Sequence, residues 1–267
     1  EEKRQILSSS IKTYHKTKKI IAKEGYSEVV TWSFMDGNKA KVLFNDLISL
    51  QNPISSDLNT MRPSAMPNLL EAINQNKSRM YTRAKIFEVG PNFSKSLNDY
   101  QENVASAIIY GSIDEENWLS NKKNSNVFTA KADLFSVLSS LNVPTDNLLY
   151  DKIEDNIYHP GKSSILRLGK NIIAKFGELH PILMKTMDIN IKVYGFEIYL
   201  DNISQFQENK SFSRGAFSNN PYQMVERDFA FLLPKEIEAN EIIKKVKKID
   251  KNIINKVTVF DVYEGDK

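Results

Sequence analysis

Arg62 and Glu88 are the charged residues of this chain whose settings first suggest chemistry. Arg62 lies in Thr60-Met61-Arg62-Pro63-Ser64, and Glu88 lies in the apolar run Ile86-Phe87-Glu88-Val89. An arginine next to a proline-bounded turn can orient a substrate, or it can fix the loop Pro53–Pro67 by hydrogen bonds to backbone and carboxylate. The second role is favoured, with Glu88 as partner for Arg62 or Arg83. His159 and His180 each precede a proline. An X-Pro bond holds the preceding residue extended, so these imidazoles are expected to brace turns. His15 falls on a helix and reads as a surface residue.

Other chemistries are excluded by what is missing. There are no cysteines, hence no thiolate ligands, disulfides or thiol nucleophile. No His-x-x-x-His or carboxylate spacing supports zinc, and no metal site is expected. No glycine-rich loop resembles a phosphate cradle, and Gly161-Lys162-Ser163 lacks the flanks of a nucleophile elbow. The net charge of +3 permits a nucleic-acid partner without requiring one. A lysine run, Lys244, Lys245, Lys247, Lys248 and then Lys251, accompanies an apolar stripe of Ile242, Ile243, Val246 and Ile249. Its lysines point outward, where they suit solvent or RNA phosphates. No run is long and apolar enough to cross a membrane.

The elements that position these residues follow from periodicity. Leu7, Ile11, Tyr14 and Ile21 mark a first helix that Gly25 ends. Val29–Phe34 reads as a strand and Asp36-Gly37-Asn38 as a turn. A helix begins at Pro67. Strands follow at Ala84–Val89 and Val104–Tyr110. Thr129 caps a helix carrying Leu134, Val137, Leu138 and Leu141. Ser164–Leu168 and Asn171–Phe176 flank Gly169-Lys170 as a hairpin. Pro181 opens a short helix, and Lys192–Tyr199 is another strand. Tight turns between strands imply an antiparallel sheet with covering helices. Phe206–Asn220, rich in Ser, Asn, Gln and Gly, reads as a linker. A separate unit then shows strand Met224–Leu233, helix Glu238–Ile249 and strand Lys256–Tyr263. Tyr222, Phe229, Phe231 and Phe260 read as its sheet core, with base stacking open to one or two of them.

With the segments placed, the chain resembles the β subunit of bacterial phenylalanyl-tRNA synthetase over nearly all its length. Gly25-Tyr26-Ser27-Glu28-Val29-Val30-Thr31-Trp32-Ser33-Phe34 is similar to that family's strand entry. Leu50-Gln51-Asn52-Pro53, Met61-Arg62-Pro63-Ser64 and Phe87-Glu88-Val89-Gly90 follow in order. Tyr158-His159-Pro160-Gly161 and Gly177-Glu178-Leu179-His180-Pro181 come next. Glu226-Arg227-Asp228-Phe229 and Phe260-Asp261-Val262-Tyr263-Glu264-Gly265 complete the series. One departure is Gln223, where the family usually has proline.

The resemblance implies an α+β fold: a class II aminoacyl-tRNA synthetase-like antiparallel sheet with flanking helices, then an incomplete ferredoxin-like βαβ unit. It implies a catalytic-like module over 1–205, a linker over 206–220, and the first half of an anticodon-binding domain over 221–267. It implies no catalytic residue here. The arginine that follows the second-motif phenylalanine is Ser94, and the third-motif segment Tyr194–Asp201 has no arginine. Arg62, Glu88, His159 and His180 then serve as structural motif residues, and Lys244, Lys245, Lys247, Lys248 and Lys251 are candidates for tRNA contact. The implied partners are a synthetase α subunit, in an (αβ)2 heterotetramer, and tRNA(Phe). Neither membrane nor DNA is implied, and the implied location is the cytoplasm. No cofactor is expected in this stretch, whereas the whole enzyme uses ATP and magnesium. Two rivals stay open: a ligase core whose ATP-binding arginines are displaced to Arg83 or Arg167, and a stand-alone interaction domain.

Overall fold

The computed structural model describes residues 8–77, 81–113, 118, 123–208, 223–234, 237–250 and 253–263. The chain forms two compact units, Glu1–Phe212 and Ser213–Lys267.

The first unit begins with α1 (Ser9–Lys23), whose N-cap Ser8 accepts from the Ile11 amide. Its buried face is Thr13, Thr17 and Ile21. Leu7 lies outside the described residues, and Ile11 is 44% exposed, so the expected stripe is displaced. The threonines can be buried because Thr17 donates to the Thr13 carbonyl at 2.8 Å, satisfying its own hydroxyl. Gly25 follows the helix with φ +86°, the left-handed position that glycine takes most readily.

The expected strand Val29–Phe34 is not one strand. It splits into β1 (Ser27–Glu28) and β2 (Phe34–Met35), with Val30 and Trp32 turned to solvent between them. The carbonyls of Trp32 and Ser33 accept from Arg62 and Asn68 instead of a neighbouring strand. Asp36 is more than a turn residue: it caps a short helix, α2 (Gly37–Leu43). After β3 (Thr60–Met61) comes α3 (Met66–Lys77), with Pro67 in its first turn, and then the long hairpin β4 (Ala84–Phe93) and β5 (Gln101–Tyr110). In α4 (Val127–Ser140) the cap is Asn126, not Thr129. Thr129 completes a reciprocal capping box as the third helical residue. β6 (Leu149–Asp151), β7 (Tyr158–Leu168) and β8 (Asn171–Leu179) are followed by α5 (Pro181–Thr186), β9 (Tyr194–Tyr199) and α6 (Leu200–Glu208). The last helix takes the start of the expected linker; 209–220 lie outside the described residues.

Seven strands form one sheet in the order β1-β4-β5-β9-β8-β7-β6. Only β1 and β4 run parallel, so the sheet is mostly antiparallel. One face packs Phe87, Ala107, Phe196 and Ile198 against α1, α4 and α6. Each fully buried Leu or Phe there contributes about 1.5–3 kcal/mol. The other face is covered in part by Leu69, Leu70 and Leu183 from α3 and α5. Between those covers its strands present Glu88, Glu197, Glu102, Ser106, Lys175 and Tyr199. This polar face positions the site.

The second unit contains α7 (Ala239–Ile249). No strand pairing occurs among its described residues. Phe229 (72% exposed), Phe231 (58%) and Phe260 (73%) are not core, contrary to the alternation in sequence. Tyr222 is outside the described residues. Ile249 is also exposed, which removes the last member of the helix's apolar stripe. Lone strand-like segments lack the neighbouring strands that would bury them. Amides of 223–234 and 256–263 are therefore expected to exchange with deuterium far faster than those of Val104–Tyr110 and Ile173–Phe176. Equal protection in a hydrogen-exchange experiment would show a sheet in the second unit.

Candidate functional site

Arg62 lies beneath the sheet edge and is 1% exposed. Its Nη1 donates to Glu88 Oε1 at 2.9 Å and to Thr31 Oγ1 at 2.9 Å, and its Nε donates to the Pro91 carbonyl at 3.2 Å. Thr31 in turn donates to the other Glu88 oxygen at 2.6 Å. The Arg62 backbone joins the same fabric. Its amide donates to the Ser33 carbonyl, and its own carbonyl accepts from Phe93, both at 2.9 Å. The acceptors lie in 31–33 and β4, with Glu88 among them. Gly90 makes room: a Cβ there would stand 2.8 Å from Arg62 Nη2.

Two residues on, Ser64 donates to Glu197 Oε1 at 2.7 Å and accepts from the Met66 amide, fixing the start of α3. The Tyr158 hydroxyl reaches the other Glu197 oxygen at 3.5 Å. Burial pushes the Glu197 carboxyl above its ordinary range, while Lys175 and the Ser64 hydrogen bond pull it back. Sequence reasoning missed Ser64, Tyr158 and Glu197 as a set. The available signal was a carboxylate inside the apolar strand Tyr194–Tyr199, the same oddity that marks Glu88.

Beside this network is a cavity of about 420 Å3, bordered by Leu97, Glu102, Arg167, Lys175, Tyr199 and Asn202. Leu97 and Glu102 flank the turn after Ser94, and Tyr199 and Asn202 belong to the third-motif segment and the residue just past it. Ser94 shares a hydrogen bond with Ser96 at 2.8 Å. Asp201 accepts from the Asn103 amide at 2.7 Å and from its side chain at 3.1 Å. Arg167 pairs with Asp151 at 2.5 Å, and Lys175 pairs with Asp155 at 3.0 Å. Burial, reinforced by Glu197 and Asp201, raises Glu102 to about 7. Arg83 is not here. Through the ladder Arg167 stands level with Pro91, and the eight residues from 83 to 91 span about 25 Å of strand.

His159 Nδ1 accepts from the Gly161 amide and His180 Nδ1 from the Ile182 amide, each at 3.0 Å. Each ring therefore holds a local turn, and His180 caps α5. Their rings lie 6.5 Å apart. Among the described residues no group of three or more His, Asp or Glu is arranged for a metal. On α7, Lys245 and Lys248 are exposed and Lys244 and Lys247 half-buried, while Lys251 lies outside the described residues.

Residues 2–200 match the model of the phenylalanyl-tRNA synthetase beta chain CLM domain, and residues 220–267 match that of the ferredoxin-fold anticodon binding domain. The chain belongs to the phenylalanyl-tRNA synthetase beta-chain family. It is 36% identical to the phenylalanine–tRNA ligase beta subunit of Rhodospirillum rubrum over 94% of this chain and 32% of that one. It is 38% identical to that of a Wolbachia species over 96% of this chain and 32% of that one. The chain thus spans about a third of the length of the curated relatives it matches. A crystal structure of pyrrolysyl-tRNA synthetase from Desulfitobacterium hafniense shares the fold, with a TM-score of 0.60 at 15% identity over 77% of this chain and 72% of that one. The first unit thus has a class II synthetase fold.

Two outcomes follow from this geometry. Arg62→Ala leaves Glu88 buried without its cation, and a loss of about 3–5 kcal/mol is expected in denaturant unfolding. An unchanged midpoint would mean that water replaces the guanidinium. Glu102 has a folded pKa above its ordinary 4.5, so the folded state binds more protons than the unfolded one between 4.5 and about 7. The resulting destabilisation grows through that window and is complete above it. Glu102→Gln is expected to be more stable than the parent at pH 8 by on the order of 1–2 kcal/mol, discounted for partial exposure, and equal to it near pH 4. A gap that does not change with pH would place the effect elsewhere.

Proposed function

We propose that this stretch is a non-catalytic part of the β subunit of phenylalanine–tRNA ligase. It supports attachment of phenylalanine to its tRNA by assembling with the α subunit and by positioning tRNA(Phe). On this reading residues 1–205 are a pseudo-catalytic module, 206–220 a linker, and 221–267 the N-terminal half of a ferredoxin-like anticodon-binding domain. The assembly is an (αβ)2 heterotetramer in the cytoplasm. No described helix is long and apolar enough to cross a membrane.

The observation that carries the reading is the cavity beside Glu102. Adenylate formation needs cations aimed at the phosphates. Here Ser94 stands at the family's second-motif arginine position and the third-motif segment Tyr194–Asp201 has no arginine; Ser94 and Asp201 are both engaged in local hydrogen bonds. Of the cations bordering the cavity, Arg167 and Lys175 are already paired with Asp151 and Asp155, and Lys170 lies exposed in the hairpin turn. Asp201 and Glu102 add acceptors to the site and no cation. These residues do not fit a triphosphate with magnesium, so ATP chemistry is left to the α subunit.

What the module retains is a shaped surface. The Arg62–Glu88 clamp holds residues 31–33, and Val30 (87% exposed) and Trp32 (63%) project to solvent. That apolar edge, with the exposed side of α1, suits the contact with α. Lys244, Lys245, Lys247, Lys248 and Lys251 suit RNA phosphates, which would position the tRNA without reading its sequence.

Pyrophosphate exchange with ATP and phenylalanine is expected to stay at background for the β subunit alone and to appear when α is added. Exchange by β alone that disappears in Arg167→Ala would restore a working ATP site. Trp32→Glu is expected to reduce co-purification with α while leaving the unfolding midpoint of β nearly unchanged. Undiminished recovery of the complex would move the interface away from this edge.

A further inference from the structure

Lys131 is held unlike the described lysines of the first unit that pair with a carboxylate. Lys85, Lys162 and Lys175 each find a carboxylate within 3.1 Å, and Lys18 pairs with Glu28. The Lys131 ammonium has no hydrogen bond or ion pair among the described residues. It sits instead among three aromatic rings: Tyr150 at 4.9 Å from Nζ to centroid, Phe135 at 5.5 Å and Phe176 at 5.9 Å. The fold builds this box from three elements. Phe135 is one turn along α4, Tyr150 is on the edge strand β6, and Phe176 is on β8, 5% exposed.

Ring faces attract a cation, but they do not replace the hydrogen bonds it gave up to water. Loss of hydration dominates, and burial lowers the Lys131 amine from its usual value. The side chain is nevertheless only half-buried, so a small reagent can reach Nζ. A lysine desolvated beside apolar groups, with no anion to hold its proton, is the type that acts as a nucleophile. Exposed lysines such as Lys12 and Lys16 are hydrated, and the ion-paired ones face carboxylates.

We propose that Lys131 is a modification site: the amine of this chain that reacts preferentially with activated carboxylates of the acyl-phosphate class. The ammonium first gives its proton to water. The free Nζ pair then attacks the acyl carbon, the bond from that carbon to the phosphate oxygen breaks, phosphate leaves with the electron pair, and the nitrogen loses a second proton to give a neutral amide. No oxidant or further reactant is required. The product has no charge left for the box to hold without a counter-ion.

The test is a limiting dose of acetyl phosphate on the full-length subunit at neutral pH, with site occupancy read by mass spectrometry of peptides cut at acidic residues. Lys131 is expected to be acetylated about fivefold or more above Lys12 and Lys16, since a modest fall in an amine's pKa multiplies its free-base fraction several-fold. Tyr150→Ala opens the box to water and is expected to bring Lys131 down to the level of those lysines, with circular dichroism confirming that the fold persists. Acetylation of Lys131 at or below the exposed lysines in the parent would overturn the inference. So would a preference that survives Tyr150→Ala unchanged.

Discussion

The fold of the first unit turns on the ion pair between Arg62 and Glu88. Both are shielded from water, and the side chains meet at 2.9 Å. A buried pair is a weak source of net stability, because desolvation consumes much of the attraction. Its effect is geometric. The guanidinium donates at once to a carboxylate, a hydroxyl and a main-chain carbonyl, so each donor accepts only one placement of its partner. Residues 31–33, β3 and the end of β4 are thereby joined at a point where the sheet ladder alone would not join them. Lysine would supply one compact charge and could not reproduce that fork.

The same reasoning extends over the polar face. Glu88 and Glu197 are acids inside otherwise apolar strands: Glu88 is answered from outside the sheet by Arg62 and Thr31, and Glu197 by Ser64 from outside it and by Tyr158 of β7. Arg62 and Ser64 are two residues apart, so one short segment serves both carboxylates. This is why β3 and the start of α3 hold a fixed position over the sheet although β3 itself has only two residues. Among the described residues Glu102 has no such dedicated donor, and burial at the cavity raises its carboxyl to about 7.

Much of this was legible in the sequence where the signal is local. The hairpin around Gly169, the stripe of α4 and the proline start of α5 depend on neighbours in the chain, and they appear where expected. The misses are long-range or competitive. Val29–Phe34 has the β-branched and aromatic content of a strand, but its carbonyls are taken by Arg62 and Asn68, some thirty residues away, and tertiary bonding overrides propensity. The α4 cap is Asn126, three residues from the expected Thr129, because both side chains can cap there, and Asp36 opens a short helix where the sequence shows only a turn. Ser64 and Glu197 lie 133 residues apart, and no periodicity links them. In the second unit the alternating phenylalanines carry a strand pattern that depends on neighbouring strands for its burial.

The polar face also ties Ser94 and Asp201 into the framework of the first unit. Asp201 accepts from both the amide and the side chain of Asn103, which binds the first turn of α6 to β5. A cation at 201 would leave the Asn103 amide without its acceptor and would lie beside Asn103 donors that point the wrong way for it. Ser94 is likewise tied into the turn ahead of β5. Around them Arg167 and Lys175 are each neutralised by an aspartate. A single arginine introduced at either position would therefore disturb a satisfied local structure before it met a phosphate.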